Sequence, residues 1–329
     1  MNRSLVRSRE IPVESTSRSK ASRERARTVR LTGMEPIVEP PRSSPYGTSV
    51  QAGTKRGLAL PRGWLDSLGG LVPNTGGVDV SSGDAVWLVV PCFDEAERLD
   101  LEAFGDALSA DPSLHLCFVD DGSRDATPQQ LGAFAKGRPE RVRVVTLPEN
   151  VGKAEAVRAG VQTAFAFEPA FVGYWDADLA APLGELPALR AALESQPAVE
   201  VALGARVALL GRSIDRLATR HYLGRVVATL AAQALGVPVY DTQCGAKLFR
   251  VTPRTRALFR DPFRTGWTFD VELLARWLRD RRSAGEEPPE AGVVEVPLSV
   301  WRHVPGSKVR ASDLPRAVIE LLRIRSRYR

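Results

Sequence analysis

From residue 84 onward the chain alternates two rhythms of apolar positions. Short runs rich in β-branched and aromatic residues, AVWLVV (85–90), LHLCFV (114–119), RVVTL (143–147), FVGYW (171–175) and VALGA (201–205), have the length and content of buried strands. Between them EAERLDLEAFGDAL (95–108), TPQQLGAFAKG (127–137), KAEAVRAGVQTAFAF (153–167) and PLGELPALRAALES (182–195) repeat apolar residues at i, i+3 and i+4, the spacing of one helical face. Strand and helix in repetition predict an α/β fold, a mostly parallel sheet with helices on both faces. Ligands of such sheets collect at the carboxyl ends of the strands. A longer stretch, VALLGRSIDRLATRHYLGRVVATLAAQALG (207–236), predicts a further helix with Arg212, Arg216 and Arg220 on one face, either a solvated cationic stripe or an anion clamp.

Neither rhythm reaches residues 1–83, which are rich in Arg, Ser, Pro and Gly and read as a disordered basic tail ahead of a folded domain at 84–329. The first 30 residues hold eight Arg and one Lys against three Glu, a net of +6, which equals the formal charge of the whole chain. From Trp301 to the end eight basic residues face two acids, another +6, so the middle carries −6. Basic ends around an acidic middle suit a surface that meets anionic partners at its edges. An Arg-rich arm binds nucleic-acid backbones without specificity, so a non-enzymatic nucleotide or nucleic-acid binder is the lower alternative; no nucleic-acid module accompanies the arm, and no specific nucleic-acid partner is expected.

No stretch approaches 18 uncharged apolar residues and no hydrophobic leader core follows the basic start, so the expectation is a cytoplasmic protein without a spanning helix. The segment DLPRAVIELLRIRSRYR (313–329) sets Leu314, Val318, Leu321 and Leu322 together, with Arg316, Arg323, Arg327 and Arg329 near by. Such a helix either packs on the domain or lies peripherally on an anionic cytoplasmic membrane face. Cys92, Cys117 and Cys244 lack CxxC spacing, which points to reduced thiols and to neither a disulfide nor a zinc site.

The chemistry gathers where strands end. Asp94 and Glu95 follow the first strand, Asp120 and Asp121 end the second, and Asp176 and Asp178 end the fourth. No G-x-G-x-x-G follows the first strand, which argues against a dinucleotide-dependent dehydrogenase. Two carboxylates as close as Asp176 and Asp178 repel and raise each other's pKa unless they point apart into water or share a cation. A divalent ion bridging them to a nucleotide diphosphate would complete such a site; an Asp-capped turn is the plainer reading. Asp120 and Asp121, with Gly122 and Ser123, can accept hydrogen bonds from a base or ribose or cap the next helix. Lys153 follows Gly152 at a helix start and either touches phosphate or base or is solvated.

In order along the chain, VVPCFDEAERL, VDDGSRDAT, NVGKAEAVRAG, DADLAAP, DTQCGAKLF, FDVELL and VWRHVPGSKV resemble the motifs of the family 2 glycosyltransferases of the GT-A fold. Within that family they most resemble the dolichyl- or polyprenyl-phosphate glucosyltransferase branch, over about residues 85–329. The resemblance implies a Rossmann-like GT-A domain that moves a sugar with inversion from a nucleoside diphosphate donor, UDP-glucose by branch, to a polyprenyl or dolichyl phosphate, with Mg²⁺ or Mn²⁺ as cofactor. It assigns Pro91, Asp94, Glu95, Asp120, Asp121, Lys153, Asp176 and Ala177 to the donor, and Asp176 and Asp178 to the metal. Asp241 and Asp270 fall on the catalytic floor, where they position the sugar or arginine side chains. Arg206, Arg212, Arg216, Arg220, Ser307 and Lys308 fall to phosphate and acceptor.

The chain also departs from its relatives. Ala154 and Glu155 stand where glycines are common, Ala246 where an aromatic is, and Ala180 and Ala181 where some relatives carry a polar residue that assists the metal. A soluble or glycan hydroxyl acceptor, the alternative within the family, would need Asp241 or Asp270 as general base. A lipid phosphate, with a second pKa of about 6, is already an anion at neutral pH. Asp270 could instead cap its own helix or pair with Arg264.

Overall fold

The computed structural model describes residues 84–215, 218–304 and 314–328. The tail expected over 1–83, together with Arg216, Ser307 and Lys308, lies outside them, and of Arg220 only the helical backbone is described.

In chain order the strands are β1 (Val86–Cys92), β2 (Leu114–Asp120), β3 (Val142–Thr146), β4 (Phe171–Trp175), β5 (Val201–Ala205), β6 (Ser213–Ile214), β7 (Ala246–Arg250), β8 (Val293–Pro297) and β9 (Val300–Trp301). The helices are α1 (Leu101–Ala110), α2 (Thr127–Lys136), α3 (Lys153–Phe165), α4 (Leu186–Glu194), α5 (Ala218–Leu235), α6 (Pro253–Leu258), α7 (Phe269–Ser283) and α8 (Leu314–Tyr328). Among the described residues seven strands form one sheet in the order β3-β2-β1-β4-β7-β5-β8, and β6 pairs with β9. The sheet is mostly parallel; β7 runs antiparallel to both of its neighbours.

The central strands are apolar at nearly every position because both faces of the sheet are covered. Trp87 and Val89 of β1 pack on one side with residues of α3, α5, α7 and α8. Val86, Leu88 and Val90 pack on the other with α1, α2 and α4. The chain order turns back at β1, which has β2 on one side and β4 on the other, both parallel to it. A sheet of this kind opens a crevice at the carboxyl ends of the two strands where the order reverses. The acids after β1 and β4 both lie at that crevice.

Two expected helices begin later than their periodicity suggests. Residues 95–100 are not helical, because Asp94 has φ 48° and the Asp100 side chain accepts the Ala103 N–H (3.0 Å), capping α1 at its true start. In the 207–236 stretch Gly211 (φ 81°) breaks the helix, and Ser213 and Asp215 donate their N–H groups to Ser299 and Trp301 as β6 joins β9. The helix starts only at Ala218, so Arg212 does not share a helical face with Arg220; its guanidinium instead bonds the Ser299 hydroxyl. In α8 the buried apolar residues are Ala317, Leu321, Ile324 and Tyr328, spaced i, i+4, i+7 and i+11, whereas Leu322 of the expected apolar face is 62% exposed. No helix among the described residues is long and apolar enough to cross a membrane. Cys92, Cys117 and Cys244 are buried and stand outside any disulfide.

Candidate functional site

The turns after β1 and β2 are tied to each other. Asp94 donates its N–H to Ser123 Oγ (2.9 Å) and accepts the Arg124 N–H (2.8 Å), while Glu95 donates its N–H to Thr127 Oγ1 (2.9 Å) and meets Arg98 with its carboxylate. Asp120 accepts the Ser123 N–H (3.0 Å). Gly122 turns between them at φ 71°, so close to Glu149 that a Cβ would lie 2.6 Å from that residue's carbonyl carbon. Pro91 sits inside β1, in register with Val119.

Asp121, grouped by resemblance with the donor, has an intramolecular job. Its two oxygens accept the N–H groups of Val151 (2.8 Å) and Gly152 (2.9 Å) and the Asn150 amide (3.0 Å), fixing the loop from which α3 springs. That loop aims Lys153. Its Nζ lies 2.5 Å from Asp176 Oδ1.

Asp176 leaves the end of β4 with its N–H bonded to the Gly245 carbonyl (3.0 Å). Asp178, half-buried, accepts the Ala180 N–H (3.1 Å). Ala177 between them packs into the apolar core. Burial opposes ionisation of Asp176, but the Lys153 ammonium, helped by Lys247 and Arg206, overrides it and holds the carboxyl below the usual carboxylate range. At Asp178 burial and the neighbouring Asp176 charge act together and push the carboxyl up. Lys153 is held above its ordinary value: burial works against its charge, and Asp176, Asp270 and Asp178 outweigh that.

This donor set fits a hard divalent ion. Mg²⁺ takes six oxygens, and two carboxylates leave positions for diphosphate oxygens and water. Among the described residues no group of three or more His, Cys, Asp and Glu is placed to hold a metal ion, so a diphosphate would have to complete the shell. The Lys153 ammonium already sets one positive charge against Asp176. Ala180 and Ala181 offer no side-chain oxygen; their carbonyls accept from Arg302 N–H (2.8 Å) and Trp175 Nε1 (2.6 Å).

Behind the pair lie two acids gripped by cations. Asp241 takes a bidentate bond from Arg206 (2.7 and 2.8 Å) plus the Arg206 N–H (3.0 Å), and that guanidinium lies 5.5 Å from the Trp301 ring centre. Asp270, at the start of α7, accepts from Lys247 (2.7 Å) and from the Tyr174 hydroxyl. Neither alternative for Asp270 occurs among the described residues: Thr268 holds the N-cap position, and the ion pair of Asp270 is with Lys247. Lys247, fully buried, also donates to the Cys244 carbonyl (2.5 Å). The structure thus gathers Lys153, Asp176, Asp178, Arg206, Asp241, Lys247 and Asp270. Lys247, Tyr174 and Gly245 were not found from sequence; a lysine inside the apolar AKLF and a glycine four residues after Asp241 were the available signals.

A family model described as Glycosyl transferase family 2 matches residues 87–255. A dolichyl-phosphate beta-glucosyltransferase of Trichomonas vaginalis is 28% identical over 253 residues, covering 73% of this chain and 71% of that protein. One from Drosophila melanogaster is 35% identical over 206 residues, 57% of this chain and 60% of its own length. A polyprenol monophosphomannose synthase of Mycolicibacterium smegmatis is 26% identical over 235 residues, 71% and 84%. In fold the chain is similar to glucosyl-3-phosphoglycerate synthase of Mycobacterium tuberculosis, solved with Mn²⁺, UDP and glucosyl-3-phosphoglycerate. The TM-score is 0.51 at 20% identity, over 74% of this chain and 79% of that one.

Proposed function

The chain belongs to glycosyl transferase family 2, and on that premise we propose that it transfers a sugar, with inversion, from a nucleoside diphosphate donor to the phosphate of a polyprenyl or dolichyl lipid. The observation that carries the reading is the Asp176–Asp178 pair at the β1/β4 crevice, with Lys153 on one carboxylate and none of the described cations bonded to the other. The names of the Trichomonas and Drosophila relatives support glucose as the sugar, and UDP-glucose is the donor we propose. The protein works from the cytoplasmic side, attached peripherally to the membrane that holds its acceptor.

Asp176 and Asp178 would hold Mg²⁺ or Mn²⁺, which on binding neutralises the departing diphosphate. Asp94, Glu95 and Asp120, at the ends of β1 and β2, face the nucleoside as acceptors for its N–H and O–H groups. Lys153, paired with Asp176 in this structure, would supply positive charge within reach of the diphosphate. Arg206, held rigid by Asp241 and by its place over Trp301, presents fixed positive charge to phosphate at no cost of reorganisation.

The acceptor assignment rests on Asp241 and Asp270. A general base needs a carboxylate that can take a proton from the acceptor. Asp241 is clamped by Arg206 and Asp270 by Lys247 and Tyr174, an arrangement that suits positioning. A lipid phosphate needs charge neutralisation and aim more than a base.

The test is radiolabelled transfer by purified protein, with UDP-glucose and GDP-mannose each offered to a short polyprenyl phosphate, with Mn²⁺ or with chelator. Labelled lipid from UDP-glucose, lost with chelator, is the expected result. Free glucose alone would sink the acceptor, label from GDP-mannose alone the donor, and full activity in chelator the metal.

A further inference from the structure

α7, α8 and the loop before α7 line a pocket of about 370 Å³. Three arginines line it: Arg264 from the loop, and Arg323 and Arg327 one turn apart on α8. Among the described residues none of the three has a carboxylate partner, although arginines elsewhere on this surface are paired, Arg254 with three acids and Arg316 with Glu320. The acid in the wall, Glu272, is compensated already: it is fully buried, paired with Arg276 (2.7 Å), and accepts from the Arg264 and Thr265 N–H groups and the Tyr328 hydroxyl. The pocket therefore carries three arginine charges with no ion-pair partner among the described residues.

The outer surface of α8 adds a second feature. With its buried face on the domain, the helix turns Ile319 (49% exposed) and Leu322 (62% exposed) to the opposite side. At 100° per residue Arg316, Arg323 and Arg327 fall along one flank of those two. Apolar residues outermost with cations beside them match the charge and polarity profile of an anionic lipid surface.

We propose that the Arg264–Arg323–Arg327 pocket takes the phosphate of an anionic membrane phospholipid, with Ile319 and Leu322 entering the lipid surface beside it. None of the residues lining this docking site is among those assigned to donor or acceptor. It deepens the reading of a lipid-phosphate acceptor and rests on it for its purpose. Its test uses vesicles without polyprenyl phosphate, so that the two can fail independently.

The experiment is cosedimentation of the full chain with phosphatidylcholine vesicles, with and without phosphatidylglycerol, for wild type and for Arg323→Gln, Arg325→Gln and Arg264→Gln/Arg323→Gln/Arg327→Gln. Arg325 is exposed on the same helix outside the pocket, so it controls for charge, and the basic residues before 84 are common to all variants. Wild type should prefer the phosphatidylglycerol vesicles. The triple variant should bind about tenfold or more weakly, Arg323→Gln should fall well below Arg325→Gln, and thermal unfolding and transfer to a water-soluble acceptor should stay unchanged. Leu322→Ser should weaken vesicle binding with the pocket charge intact. Equal losses in Arg323→Gln and Arg325→Gln, or none in the triple variant, would overturn the proposal. So would inorganic phosphate at millimolar concentration raising the melting temperature of wild type but not of the triple variant while vesicle binding is the same for both, since the pocket would then serve a soluble anion.

Discussion

Gly245 and Asp176 compete for one space: a methyl group on Gly245 would sit 1.9 Å from Asp176 Oδ2 and 2.1 Å from its Cγ. The backbone of Gly245 also accepts the Asp176 N–H, so the same residue anchors the aspartate's main chain and leaves room for its carboxylate. Gly245→Ala must turn that carboxylate away. A side-chain end can move, so the fold should lose only about 1–3 kcal/mol, as overpacking does. Activity should fall about 100-fold, the scale of a 1 Å misplacement at a reacting centre. Thermal melts beside transfer kinetics check both; a variant with near-normal turnover would show that Asp176 needs no fixed place.

Asp178→Ala should abolish metal-dependent transfer and leave the fold intact, because the side chain's single described contact is to Ala180 N–H. Circular dichroism with an Mn²⁺ titration of the UDP complex reads this: retained spectrum and lost Mn²⁺-dependent UDP binding are expected. Undiminished binding would remove Asp178 from the metal.

Metal-free protein should answer to the two carboxylates with opposite signs. Asp178 has a raised folded pKa, so between its ordinary value and that raised value the folded chain keeps a proton the unfolded chain has lost. Stability then falls as pH rises through the window. Asp176 is depressed, so its contribution is present above the ordinary carboxylate range and is lost as pH falls through the depressed value. At pH 7 Asp178→Asn should raise the apo melting temperature and Asp176→Asn should lower it, both modestly because water screens these half-exposed groups. Melts in chelator that shift both variants the same way would contradict the Lys153 pairing as the cause.

Much of the fold was legible because burial on both sheet faces writes strands as continuous apolar runs. The five expected strands fall on β1 to β5 within two residues. The acids at strand ends were legible for the same reason, since a charge closing an apolar run has little place in a core. What failed depended on contacts distant in sequence. Arg212 fitted a helical period with Arg220 until Gly211 and the β6–β9 pairing broke it. β7 was hidden by Lys247, which reads as a surface residue and is buried only because Asp270, 23 positions later, compensates it. In α8 two overlapping apolar sets were available, and only packing on α5 and α7 selects Ala317, Leu321, Ile324 and Tyr328.

Lys247 should matter through Asp270. Removing one partner of a buried ion pair leaves an uncompensated charge and costs about 3–5 kcal/mol, while replacing both by apolar groups is often neutral. Lys247→Met should therefore lower unfolding free energy by that amount, and Lys247→Met/Asp270→Leu should recover most of it. Urea denaturation of the two variants decides; a double variant no better than the single would place the stabilisation in the Lys247–Cys244 bond instead.

The pH dependence of transfer separates a phosphate acceptor from a hydroxyl one. If the attacking oxygen belongs to a lipid phosphate, the rate should rise with the acceptor's second ionisation, near pH 6. That limb is a property of the acceptor, so it should survive in Asp241→Asn and Asp270→Asn even though both variants lose rate, the first by loosening Arg206 and the second by stranding Lys247. A carboxylate acting as base would put its own ionisation into the profile, and its removal would erase the limb. Replacing the phosphate by a phosphonate of different second pKa sharpens the comparison, because the midpoint should move with the acceptor. A midpoint that stays with the protein, and disappears in one aspartate variant, would return that aspartate to the role of base and overturn the reading in which both only hold cations in place.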